Sequence, residues 1–242
     1  SVTEQWAQFS IAGPKSRELL NAVLDSPITS ETFPYMSCAS VGILGEAGRL
    51  FRISFSGEHG YEIAVPSRFG ESLFRLLVSR AEEIGGGPYG MEALNVLRLE
   101  KGFITHAEIH GRVTAFDLGM QRMVSEKKDC IGKTSAARPG LVDNEREQLI
   151  ALKPVGSVKQ IIAGAHLFDV DDDPVRKNNK GYVTSVGFSP TVGHFIGLAF
   201  LKNGHDRLGD RINMVDHLRG VETECEVINT VSFDPKGDRL RD

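Results

Sequence analysis

The stretch Ser54–Pro66 reads SFSGEHGYEIAVP, a glycine-punctuated turn followed by an apolar run that carries one carboxylate, Glu62. Further along, MEALNVLRLEKG places Arg98 on an otherwise greasy helix. On a wheel of about 100° per residue with Met91 at zero, Arg98 falls at about 340°, between Met91 and Leu94. A guanidinium in an apolar stripe is costly unless it is paired and hydrogen-bonded. Two readings stay open for each residue. Glu62 either pairs with Arg52 across the hairpin or offers a carboxylate to a ligand. Arg98 either forms a structural ion pair, or a head group that snorkels to water, or lines a polar pocket.

Other clusters carry less. His106 and His110 bracket Glu108 at a spacing that would suit a metal on a helix, but the segment is rich in Gly and Thr and reads as loop. Asp169, Asp171 and Asp173 begin like a calcium loop, yet Pro174 stands where glycine is needed and Lys180 where the bidentate glutamate belongs. GGGPYG lacks dinucleotide-loop spacing and AGPKS lacks the P-loop glycine, so no metal, nucleotide or Rossmann site is expected.

The elements that position these residues follow from local pattern. QFSIAGP reads as a strand and PKSRELLNAVLD as a helix opened by Pro14. SCASVGI and GRLFRISFSG read as strands, the latter alternating Phe51, Ile53, Phe55 against Arg52, Ser54, Ser56. YEIAVP alternates too, so SGEHG is the hairpin connection. Ser67 is the expected N-cap of a helix reaching about Ile84. Pro88 opens another that runs to about Lys101 and stops at Gly102. On this wheel the helix opened by Pro88 is expected to be well buried. Polar SAARPGLVDNERE marks a boundary, after which six strand-like runs separated by turns describe a small antiparallel barrel or sandwich.

With 242 residues, 40% hydrophobic and 25% charged, the chain has ample material for a core. A net charge of -4 and a pI near 6.0 argue against nucleic acid or an anionic membrane as the main partner. No apolar run approaches membrane-helix length, and the opening SVTEQWAQFS has neither a basic n-region nor an apolar h-region. Cys38, Cys130 and Cys225 are widely spaced, as reduced thiols in a cytoplasmic protein would be.

The blocks FSGEHGYEIAVP, YGMEALNVLRLEKG, VTAFDLGM and CIGKTSAAR, followed by GYVTSVGFSPTVGHFIGLAFL and VINTVSFDPKGDRLRD, resemble the folate-binding aminomethyltransferase (glycine-cleavage T-protein) family. The likeness covers nearly the whole chain, with its blocks in order. Within the family, ALNVLRLEKGFI, DLGM and VSFDPKGDRLR are most similar to the C-terminal region of the large (alpha) subunit of heterotetrameric sarcosine oxidase.

The resemblance implies an α+β fold. An antiparallel-sheet α+β domain over 1–140, lacking the family's N-terminal third, is followed by an antiparallel β-barrel domain over 146–242. A start at Ser1 fits a piece of a longer subunit. The implied ligand is tetrahydrofolate, which captures the one-carbon unit from oxidative demethylation of sarcosine as the 5,10-methylene derivative. Flavin is expected only in a partner chain of a hetero-oligomer. Gly60-Tyr61-Glu62 matches the motif whose glutamate contacts the pterin, and Leu97-Arg98-Leu99-Glu100 matches the helix whose arginine belongs to the same folate pocket. Tyr61 accompanies Glu62, and Phe233 stands near a tyrosine of the T-protein tail. No residue here matches the aspartate that activates the folate nitrogen in T-protein, so no catalytic residue is named. A stand-alone aminomethyl- or methyltransferase and a non-catalytic assembly module are the alternatives.

Overall fold

The computed structural model describes residues 1–125, 127–143 and 145–241. The chain divides into two compact units, Ser1–Leu97 with Asp234–Asp242, and Arg98–Phe233.

In the first unit, β1 (Trp6–Ala12), β2 (Cys38–Ile43), β3 (Glu46–Phe51) and β4 (Gly60–Pro66) form an antiparallel sheet in the order β1-β4-β3-β2. Alternation sends Ile11, Leu50, Tyr61, Ile63 and Val65 into a core shared with Leu20 of α1 (Ser16–Asn21) and with Leu73 and Leu77 of α2 (Gly70–Glu83). The buried positions Gly70, Leu73, Leu77 and Ala81 of α2 recur at helical spacing. Gly70 permits close packing, because a Cβ there would sit 2.6 Å from that of Ala7.

Three local expectations are corrected. β3 ends at Phe51, so the predicted alternation through Ser56 does not continue. Arg52 instead turns inward, and its guanidinium is taken up by the Gly60 carbonyl and the His59 ring. Ser67 caps no helix: it begins a short 3-10 turn, and its hydroxyl donates to the Glu4 carbonyl. The third helix, α3 (Met91–Glu100), is not buried as a lengthwise stripe. Met91 is 79% exposed, whereas Arg98, Leu99 and Glu100 are buried, so burial deepens along the axis.

Gly102 ends α3 in the left-handed region at φ +64, and its missing Cβ lets the Thr230 carbonyl approach. Short helices α4 (Lys133–Ala136) and α5 (Asp238–Arg241) complete the helical elements.

All six strand-like runs of the second half form strands: β5 (Glu147–Pro154), β6 (His166–Asp169), β7 (Gly181–Ser189), β8 (His194–Lys202), β9 (Arg211–Asp216) and β10 (Val221–Ile228). They close as β10-β5-β8-β7-β6-β9, which resolves the barrel-or-sandwich alternative in favour of a barrel. Closure leaves no unpaired edge. Ile150, Leu152, Leu167, Val183, Ala199, Leu201, Ile212, Met214 and Val227 fill the interior. Leu149, Ala151, Leu198 and Phe200 pack in a second cluster with Leu99 and with Ile104, Val113 and Leu118. Covered on both faces, β5 and β8 therefore read as nearly continuous apolar runs. No helix among the described residues is long and apolar enough to cross a membrane.

Candidate functional site

Glu62 sits on the sheet face opposite the α1/α2 core, with Ser10 directly across from it on β1. It is half-buried and accepts a hydrogen bond from Gln8 Nε2, two residues from Ser10 on the same face. The expected Arg52 partner is absent because Arg52 points to the other side of the chain. Tyr89 Oη donates to Ser10 Oγ at 3.2 Å. Beside β1 opens a cleft of about 610 Å³, its polar lining including Gln8, Ser10, Lys15 and Tyr89 and its apolar lining Phe74 and Leu94.

The strand presenting Glu62 is anchored from behind. Tyr61 is fully buried, and its hydroxyl bonds His59 Nε2 and accepts from Arg17 Nε, both at 3.1 Å. Arg52 donates to the Gly60 carbonyl and to His59 Nδ1, each at 3.1 Å, with its Cζ 4.9 Å from the Tyr61 ring centre. A guanidinium can only donate, so His59 Nδ1 accepts from Arg52, and Arg17 Nη2 lies 3.4 Å from Nε2 on the other side of the ring. Glu62 and Tyr61 are thus adjacent in sequence but on opposite faces of the sheet. This network escaped the sequence reading, because strand alternation placed Arg52 beside Glu62.

In the second unit, Arg98 is 3% exposed and Glu108 is fully buried. Arg98 Nη1 donates to Glu108 Oε2 at 3.4 Å and to the Phe103 carbonyl at 3.1 Å, and Nη2 donates to Ser185 Oγ at 2.8 Å. Glu108 Oε2 also accepts from the Thr105 N–H at 2.8 Å and its hydroxyl at 3.1 Å. The hydroxyls of Thr184 and Ser185 donate to Oε1 at 2.6 and 2.5 Å. Consecutive residues on a regular strand face opposite ways. Here the ladder register shifts between Val183 and Ser185, and this bulge aims both hydroxyls at one carboxylate.

Burial works to raise the Glu108 pKa, but the bonds from Ser185, Thr184 and Thr105 and the Arg98 charge outweigh it and hold the carboxyl below the usual range. Burial lowers the Arg98 pKa, and Glu108 restores part of the loss. The guanidinium stays charged at any pH where the protein folds.

His106 and His110 do not flank a metal ligand, since Glu108 is committed to Arg98 and the hydroxyls, and His110 Nε2 bonds Tyr182 Oη at 3.1 Å. Among the described residues no group of three or more His, Cys, Asp or Glu side chains is arranged to hold a metal ion. Asp169 is bound by Lys180 at 3.0 Å and Arg207 at 2.7 Å. Phe233 is half-buried, and its N–H donates to the Glu100 carbonyl at 3.0 Å. The cysteines are free thiols, Cys225 buried and pushed up to about 12 by burial.

These features define a protein with an antiparallel α+β unit, a polar group standing on the sheet face away from its core, and a closed antiparallel barrel with a buried charge cluster against its wall. The chain belongs to the glycine cleavage T-protein family: the GCVT N-terminal domain model matches residues 1–128, and the glycine cleavage T-protein C-terminal barrel domain model matches residues 148–234. It is 42% identical over 243 residues to sarcosine oxidase subunit alpha of Rhizobium meliloti (strain 1021), a match covering 99% of this chain and 25% of that protein. An aminomethyltransferase of Thermoanaerobacter sp. (strain X514) is 29% identical over 219 residues, covering 89% of this chain and 56% of the relative. The chain therefore spans about a quarter to a little over half the length of these curated relatives. The fold is shared with the crystal structure of glycine cleavage system aminomethyltransferase T from Bartonella henselae, with a TM-score of 0.67 and 18% identity over 96% of this chain and 87% of that one.

Proposed function

We propose that this chain is the tetrahydrofolate-binding region of a sarcosine oxidase-type large subunit, part of an oxidoreductase whose flavin lies in a partner chain or subunit. The observation that carries the reading is Glu62 itself, a carboxylate on the sheet face opposite the core, within the Gly60-Tyr61-Glu62 motif and backed by an anchored strand. Its donor and acceptor set fits a pterin edge. The carboxylate accepts from the exocyclic amino group and the neighbouring ring N–H, while the Gln8 amide steadies it. Tyr61 supports Glu62 from behind. Arg98 enters the proposal through its Leu-Arg-Leu-Glu motif, with Glu108 and Ser185 holding its guanidinium, and Phe233 enters as a stacking surface. No residue is proposed as catalytic.

Tetrahydrofolate, when bound, supplies two nitrogens that take up a one-carbon unit at the oxidation level of formaldehyde, with loss of amine from an imine or of water from formaldehyde. The protein's part is to orient the ligand and limit loss of free formaldehyde. The 42% identity to a sarcosine oxidase alpha subunit favours the oxidase setting.

The test is anaerobic calorimetric titration of tetrahydrofolate into the native protein and into Glu62→Gln. A hydrogen bond to a charged group is worth about 1.5–3 kcal/mol, so the variant is expected to bind about 10- to 150-fold more weakly. Equal affinities remove Glu62 from the site, and no binding to the native protein overturns the folate reading.

A further inference from the structure

Two histidines meet on the outer wall of the barrel. His166 lies on β6, where its direct cross-strand neighbours are Val215 on β9 and Tyr182 on β7. His217 follows Val215 by two positions and opens the turn between β9 and β10. A diagonal neighbour at that spacing stays within reach of a long or aromatic side chain. Leu167 and Met214 fill the barrel interior, so alternation turns His166 outward, and both histidines are exposed. Their ring centres are 6.4 Å apart, with the planes tilted by 43°. Phe168 packs edge-on against His217 at 6.0 Å and steadies that ring. Among the described residues neither ring has a hydrogen bond or an ion pair. Arg219, the cation nearest along the chain, is bound to the Asp216 carboxylate at 2.6 Å. The Tyr182 hydroxyl is taken by His110 Nε2.

Imidazole nitrogens suit zinc, nickel and copper ions. With metal–nitrogen bonds of about 2.0–2.1 Å, two rings sharing one ion have centres roughly 4.5–6.5 Å apart, according to the angle between the bonds. The observed separation lies at the wide end of that range. Exposed rings can turn about χ2 and bring one nitrogen from each onto the same ion. We propose that His166 and His217 form a two-histidine site for a divalent transition-metal ion, with water in the remaining positions. It is a two-ligand site, distinct from the clusters of three or more ligands that the described residues lack. Asp216 takes no part, since it is committed to the Arg219 guanidinium and to the Leu218 and Arg219 N–H groups. With nitrogen ligands only, the site excludes Ca²⁺ and Mg²⁺, which bind through oxygen. The proposal does not rest on folate binding.

The experiment titrates Ni²⁺ into the native protein at slightly alkaline pH, with excess Ca²⁺ present throughout to occupy carboxylates. Paramagnetic broadening of the backbone amide NMR signals reports where the ion sits. The same titration is run on His166→Gln and His217→Gln, with His166→Asn and His217→Asn as second variants, and each amide spectrum shows whether the variant is folded. Saturable broadening centred on residues 165–168 and 215–219 is expected, with affinity weakened about tenfold or more by the loss of either ring. Both rings are exposed, so the variants are expected to keep the native spectrum elsewhere. Broadening centred on other residues, such as the exposed thiols of Cys38 and Cys130, overturns the proposal. So does unchanged affinity in the variants of either position, because one histidine would then suffice.

Discussion

Replacing Glu108 by Gln removes one charge from a carboxylate that accepts from Arg98 Nη1, the Thr105 N–H and the hydroxyls of Thr105, Thr184 and Ser185. The amide is nearly isosteric, so packing survives and electrostatics carry the loss. Its NH2 cannot face the Thr105 N–H or Arg98, which only donate, and so must turn toward Thr184 and Ser185. Thr184 can redirect its hydroxyl to the Leu198 carbonyl, already 3.1 Å away, which leaves that conflict small. The large term is the Arg98 cation, 3% exposed and now without the Glu108 charge beside it. Breaking a buried pair from one side costs about 3–5 kcal/mol. With a urea slope of about 2 kcal/mol/M, the unfolding midpoint of the barrel unit falls by roughly 1.5–2.5 M. Replacing both partners, as Arg98→Met/Glu108→Leu, removes both buried charges and is expected to recover to within about 1 kcal/mol of the native protein or better. The measurement is urea unfolding followed by circular dichroism and by tryptophan-independent probes in the barrel. A loss under about 1 kcal/mol in Glu108→Gln refutes the reasoning. So does a double variant as unstable as the single one.

Acid stability follows from the same carboxylates. The Glu108 and Asp117 pKa values are both lowered, burial opposing the shift and hydrogen bonds more than offsetting it, in Asp117 chiefly those from Arg146. The unfolded chain then binds protons more readily than the folded one, so this stabilisation is present above the unfolded carboxylate pKa of about 4 and fades as pH falls below it. Glu108→Gln should flatten the acid limb of an unfolding-versus-pH curve, and an unchanged limb would exclude Glu108 as a contributor. Asp117→Asn weakens the two-pronged bond from Arg146, 2.8 and 2.7 Å, and is expected to lower barrel-unit stability by about 1–3 kcal/mol in urea titration. Gly102→Ala forces a left-handed alanine whose Cβ meets the Thr230 oxygen at 2.7 Å, so a loss above about 1 kcal/mol is expected by thermal unfolding. Leu152→Ala empties part of the barrel interior and should cost about 2–5 kcal/mol. Glu62→Gln, on a half-buried strand position, is expected to shift stability by less than about 1 kcal/mol, so any large effect on folate affinity cannot be laid to unfolding.

Much of this protein was readable from its residues because the determining interactions are local. The barrel strands announce themselves by short apolar runs between turns, α2 by its helical spacing, and Gly102 by being the residue that tolerates a left-handed stop. Glu62 and Arg98 were visible as anomalies for the same reason, each a charged residue in an apolar pattern. What the pattern could not supply was their partners. A strand position has two candidate neighbours, and the early end of β3 at Phe51 decides between them by turning Arg52 inward to the Gly60 carbonyl and leaving Glu62 to Gln8. Glu108 lies in a segment that reads as loop, and two of its three hydroxyl donors, Thr184 and Ser185, stand 76 and 77 residues away on a strand whose bulge no periodicity reveals. Sequence by itself therefore determined the elements and the residues out of place within them. Tertiary structure alone decided what each buried charge binds, because a charge withdrawn from water is stabilised by whichever groups the whole fold brings within hydrogen-bonding reach.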